Sequence, residues 1–244
     1  MSYSMIVVLT LLGFSLVAGL FIYLTVLDAG RWRKKIETAL LPMGFEVCPS
    51  KEEKTALAQR LLIVNPRHQG RRLLMNLYRR LSADGSHNIY FCDYRFASAS
   101  GNAQGTQWFI ICLVSRELDL PRFSIDGVPE ASGTAGKLFH GLSKAFPMPG
   151  LERIKTGAAE FDKRFCIYAD SGKVKQVLRI CERITPALRA TGSVSLDAQG
   201  DRLILSSIEM GAGLPRQTFD PQELMRLISA ASNLFETLGH QAHE

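Results

Sequence analysis

Between Met5 and Leu27 the chain has no charged residue, which excludes an amphipathic surface helix for that stretch. Cysteines are few, five in number, and never form a C-x-x-C pair, so zinc ribbons and thioredoxin-type redox motifs are excluded. The five histidines show no H-E-x-x-H spacing, and no G-x-S-x-G elbow is present; metalloprotease and hydrolase signatures are therefore missing. Ser132-Gly133-Thr134-Ala135-Gly136-Lys137 approaches a phosphate loop. It fails because Ala131 stands where the first glycine belongs and Leu138 replaces the Ser/Thr that binds magnesium. Asp197 and Asp201 flank Gly200 but offer too few oxygens for calcium, and read as parts of a turn. No catalytic motif, cofactor or metal is expected, and no internal repeat is evident.

What is present begins with that uncharged run, MIVVLTLLGFSLVAGLFIYLTVL. As a helix it reaches roughly 35 Å, against a hydrocarbon core of about 30 Å. Fifteen of its residues are Leu, Ile, Val or Phe, together favouring insertion by roughly 5 to 9 kcal/mol. Arg31, Arg33, Lys34 and Lys35 follow it closely, whereas no Lys or Arg precedes it. The positive-inside rule then predicts a short external N-terminus and a cytoplasmic remainder. The same asymmetry argues against a cleaved signal, whose basic residues would precede the apolar core.

The formal charge is +6, and the excess is local: residues 31–80 carry 12 Lys/Arg against 4 Asp/Glu. Such a collar beside an anionic leaflet orients a tethered domain, so membrane lipid is the first expected partner. A protein partner is the second. Nucleic-acid binding through this basic juxtamembrane region is a further alternative, less expected as a partner than either, with Arg67, Arg71, Arg72, Arg79 and Arg80 as its contacts. Cys48, Cys92, Cys112, Cys166 and Cys181 read as reduced core residues, in keeping with a cytoplasmic domain. Oligomeric state is not legible in the residues.

The predicted organisation is an anchor over 1–30, a basic linker over 31–50, an α+β domain over 51–239 and a tail over 240–244. The linker reads as an interfacial helix ended by Pro42 and Gly44. Ser50 and Glu53 form a capping box that opens a helix. Leu73, Leu74, Leu77, Tyr78 and Leu81 recur at helical spacing, predicting a helix over 71–81. From His87 the period changes to two, with Tyr90, Cys92, Tyr94 and Phe96 on one face of a strand; further strands follow over 106–115 as the centre of the core and around 122–125. Residues 127–157 hold nine Gly or Pro and read as a long excursion with a short helix around Leu138 to Phe146. A strand over 161–169 leads to an amphipathic helix from Val174, ended or kinked by Pro186, whose outer face carries Lys173, Lys175, Arg179 and Arg183. A hairpin over 193–208, turning through Asp197-Ala198-Gln199-Gly200, precedes a last helix capped by Asp220 and stopped by Gly239. The fold class is α+β: an N-terminal transmembrane helix, then a mostly antiparallel sheet covered by amphipathic helices.

Asp93 and Tyr94 on a strand are tentative functional residues, because a strand carboxylate must face solvent, find a partner such as Arg95 or Arg116, or shift its pKa. Together with Trp108 to Val114, Leu118-Asp119-Leu120-Pro121-Arg122-Phe123 and the helix and hairpin over 174–208, this pair resembles a pattern in uncharacterised bacterial single-pass membrane-anchored proteins. The resemblance spans about Arg71 to Leu238. It implies a bacterial inner-membrane location and brings no activity or catalytic residues. The function expected is a non-catalytic module binding protein or the membrane surface, with a membrane-tethered enzyme acting on a small molecule or lipid as the alternative.

Overall fold

The computed structural model describes residues 23, 30–31, 33–48, 50–64, 71–97, 106–127, 150–190, 194–207 and 221–239. Apart from Tyr23, the predicted span Met5–Leu27 lies outside them, as do the phosphate-loop imitation at 132–137, the helix expected around 138–146 and the Asp220 cap. Among the described residues no helix is long and apolar enough to cross a membrane. The chain divides into two compact units, Met1–Gly44 and Phe45–Glu244.

The first unit contains helix α1 (33–40), which tightens into a 3-10 turn over Leu41–Met43. Pro42 fits at the start of that turn, and Gly44 closes it at φ 80°, donating its N–H to the Leu41 carbonyl. Only a residue without a Cβ takes that left-handed conformation freely.

The second unit is a nine-stranded sheet. Its strands are β1 (Glu46–Val47), β2 (Arg71–Leu81), β3 (Asn88–Ala97), β4 (Thr106–Val114), β5 (Leu120–Gly127), β6 (Glu152–Ile154), β7 (Phe165–Ala169), β8 (Val194–Gly200) and β9 (Arg202–Ser207). They lie in the order β1-β2-β3-β4-β9-β8-β5-β7-β6, and each neighbouring pair is antiparallel. Its helices are α2 (Lys51–Val64), α3 (Ala159–Arg164), α4 (Val174–Ala190) and α5 (Pro221–Gly239). The Ser50 hydroxyl accepts the Glu53 N–H at the start of α2, the serine half of the expected capping box, while the Glu53 carboxylate accepts from Arg79.

Both faces of the sheet are covered. Leu57 of α2 packs with Cys48, Leu77, Cys92, Cys112 and Ile204 on one face. On the other, α5 meets β4 and β9, α4 meets β5, and α4 packs against α5. Phe91, Ile111, Leu113, Phe123, Ile125, Leu196, Leu203 and Leu205 are all buried and alternate out of phase with the first set.

Four expectations are corrected. Residues 71–81 form a strand, not a helix. Leu77 and Tyr78 point to opposite faces and are both buried, so the strand is apolar on both sides and its run of leucines imitates a helical stripe. The turn to β3 is tied by Asp84, which accepts from both Ser82 and Ser86 hydroxyls and from the Ser86 N–H. Those bonds hold its carboxyl down to about 2.

Residues 161–164 belong to α3, and only 165–169 are strand. Phe161 and Phe165 stack at 4.6 Å, and Asp162 gathers the Thr156 and Gly157 N–H groups and the Thr156 hydroxyl of the preceding turn. Pro186 does not end α4 but lies inside it, and the helix continues to Ala190. A buried stripe of Val177, Ile180, Cys181, Ile184 and Leu188 holds both halves of that helix. Finally, the β8–β9 hairpin turns at Gly200 and Asp201 rather than across 197–200. Pairing persists to Gln199 and Arg202, and Gly200 takes φ 56°.

All five cysteines are buried, and the Cys181 thiol is pushed up to about 12, chiefly by burial. His87 packs its ring on Phe235 of α5 at 3.8 Å while its Nδ1 meets the Ser86 hydroxyl. Burial lowers its pKa from the ordinary 6.5 despite the nearby carboxylates of Asp84, Glu117 and Glu236; Arg80 adds to the lowering. Protonation therefore favours the unfolded chain. Unfolding free energy, followed by urea titration, should be constant just above pH 6.5 and fall as pH drops through the lowered His87 value. His87→Phe, which keeps the ring stack, should flatten that acid limb.

Candidate functional site

Arg31, Arg33, Lys34 and Lys35 are all exposed, and Arg33 donates to Glu37 one turn along α1 at 2.7 Å. Asp93 and Tyr94 fall on β3 as expected. Asp93 is registered with Asn76 and Phe109, and Tyr94 with Leu74 and Trp108, beside an irregularity in β2 between Leu74 and Asn76. Their side chains, like that of Arg95, lie outside the described residues. The backbone of Arg116 lies far along the sheet from that of Asp93. It follows Val114, which is registered with Asn88 at the other end of β3, roughly 20 Å away at 3.3 Å per residue. Among the arginines considered for nucleic acid, Arg79 pairs with Glu53 at 3.1 Å and Arg80 lies 5.0 Å over the Phe45 ring.

The structure draws attention elsewhere. Strands β5 and β8 each carry Ser-aliphatic-Asp: Ser124-Ile125-Asp126 and Ser195-Leu196-Asp197. The strands are antiparallel neighbours, and their register sets Asp126 opposite Ser195 and Asp197 opposite Ser124. Each carboxylate thus faces the serine of the other motif. Residues opposite one another share a face, and Asp197 is also opposite Ile204, which belongs to the α2 cluster. The four polar side chains accordingly continue the face that α2 covers.

Two rows cross the sheet here. One runs Tyr90, Cys112, Ile204, Asp197, Ser124, Tyr168, Arg153; the other runs Cys92, Ile110, Ser206, Ser195, Asp126, Cys166. The first row turns polar after Ile204 of β9, and the second already at Ser206 of β9. The polar part is deeply buried: Ser124 is 0%, Asp197 4%, Ser195 5% and Asp126 7% exposed. The Ser195 hydroxyl donates to Asp126 Oδ1 at 2.8 Å. The matching contact on the other side is not made, and Ser124 Oγ has no hydrogen-bond partner among the described residues. Arg153, at the edge of the sheet, directs one guanidinium nitrogen to the Cys166 sulfur at 3.4 Å.

Two carboxylates on diagonal positions of adjacent strands lie about 7 to 8 Å apart between Cα atoms. Chemically, the group offers hydrogen-bond acceptors, hydroxyl donors and a nearby cation. Among the described residues no three His, Cys, Asp or Glu side chains come together as a metal site. Sequence reading missed the cluster because Asp197 was assigned to a turn. The usable signal was the repetition of Ser-aliphatic-Asp in two segments that alternate with apolar residues.

No family model, curated protein or solved structure matches the chain.

Ser195→Ala should remove the donor to a buried carboxylate and lower the unfolding free energy by about 1.5–3 kcal/mol in urea titrations. Asp126→Asn, which keeps an acceptor and loses the charge, should cost less.

Proposed function

We propose that the protein is a bacterial single-pass inner-membrane protein, anchored by Met5–Leu27, whose cytoplasmic α+β domain binds a protein partner or the lipid surface and is not a catalyst. The observation that carries this reading is the placement of Arg31, Arg33, Lys34 and Lys35. All four are exposed at the start of the first unit's helix, directly after a run without charge. Cations held in water beside an apolar span retain that span's orientation and attract an anionic leaflet. The engagement of Arg79 by Glu53 and of Arg80 by Phe45 gives nucleic acid less support.

A second reading, a membrane-tethered enzyme acting on a small molecule or lipid, draws on the twin Ser-aliphatic-Asp motifs and the partnerless Ser124 hydroxyl within them. A buried, fully polar cluster of this kind is more than a core needs.

For the first reading, the protein should stay with membranes through alkaline carbonate extraction, and the domain should resist protease added to intact spheroplasts but not to lysed ones. Digestion in intact spheroplasts would reject the orientation; release by carbonate would reject the anchor. For the second, mass spectrometry of the full chain purified from cells should reveal a small molecule that is lost in the Asp126→Asn/Asp197→Asn variant. Identical spectra for the two proteins would remove that reading.

A further inference from the structure

The outer face of α4 is a cationic strip. Lys175, Arg179 and Arg183 follow one another at intervals of four residues, with Lys173 just before the helix and Arg189 in its last turn. All five are exposed, and none makes an ion pair with a described residue. Glu182 is the only acidic group of the helix. The opposite side is the buried stripe Val177, Ile180, Cys181, Ile184 and Leu188, which fixes the strip outward.

Lys175, Arg179 and Arg183 outnumber Glu182, which is exposed on the same face, so the face keeps a positive excess and gains when an anionic partner approaches. The neighbouring helix α5 offers no such strip: its exposed outer positions include Met225, Arg226, Ser229, Asn233 and Glu236.

We infer that this strip adsorbs to anionic lipid headgroups of the membrane in which the chain is anchored. The inference rests on the anchored reading above. Helix α4 carries no aromatic residue on which a base could stack, and its apolar side is already used by the core. A flat array of flexible, unpaired cations suits a surface of mobile charges better than a shaped partner. Only 17 residues separate Leu27 from Phe45, a reach of at most roughly 60 Å even when fully extended. The domain is therefore held near the leaflet, where each Lys or Arg strengthens adsorption by roughly fivefold and a few suffice.

The test uses the full chain in lipid nanodiscs, with a bimane label at Gln176→Cys, an exposed position on α4, and a nitroxide quencher on the lipid headgroups. Quenching should be several-fold stronger in discs containing phosphatidylglycerol than in phosphatidylcholine alone. High salt should reverse it. The variant Lys175→Gln/Arg179→Gln/Arg183→Gln should lose it while melting at or near the parent temperature, since the three positions are exposed and the like-charge spacing is removed. Equal quenching in both lipids, or quenching that survives the triple substitution, would overturn the inference. If the chain fails to enter discs, the anchored reading falls by itself. Sedimentation of the same protein with phosphatidylglycerol vesicles then decides the strip: co-sedimentation lost in the triple variant supports it, and no co-sedimentation overturns it.

Discussion

Strands β4, β5, β8 and β9 bury side chains on both faces, and that constraint governs the rest. A one-residue slip of β8 against β5 would move Ser195 and Asp197 to the face that α4 and α5 cover, and bring Leu196 and Ala198 to the other. Neither face would accept the exchange. The apolar set fills the side against the two long helices, whereas the serines and aspartates answer one another across the strand pair. Register is thus specified twice, by packing on one face and by hydrogen bonding on the other.

The same two-sidedness explains what could be read from the residues and what could not. Helix α4 was legible because one side of it meets water, so Val177, Ile180, Cys181, Ile184 and Leu188 stand out against lysines and arginines. Helix α2 was legible from Ser50 and Glu53, a contact that is entirely local. Strand β2 was not: with Leu77 and Tyr78 buried on opposite faces, its leucines carry no period of two, and a helical spacing fits them equally well. Its identity comes from pairing with β3, which lies beyond any local window. Phe161 to Arg164 failed for the converse reason, since Phe161 and Phe165 satisfy a helix while the apolar stretch after them suggested a longer strand.

Asp197 was the costly misreading. An aspartate followed within three residues by glycine is ordinary turn chemistry, and Gly200 does turn the chain. The turn is tighter than the residues suggested, which leaves Asp197 three positions inside β8 and opposite Ser124. Local propensity is a poor guide wherever a buried polar residue is satisfied by a neighbour distant in sequence. Asp126 and Ser195 are separated by 69 residues, and their contact exists only because β8 returns between β5 and β9.

A core does not need such a cluster for stability. Burying a hydroxyl and a carboxylate together recovers little net free energy, because each gives up water to meet the other, and apolar residues of similar size would serve as well. Losing one member of the pair is expensive, since the other is then stranded in a dry interior. The pair is therefore hard to remove by single substitutions, and this asymmetry is a sufficient structural account of Ser195 and Asp126. It does not account for the other half of the arrangement. Ser124 is fully buried and forgoes a hydrogen bond among the described residues, a cost that replacement by alanine would relieve without stranding a donor. A serine kept at that expense, in a position that mirrors its satisfied counterpart, is the part of this domain that packing does not explain.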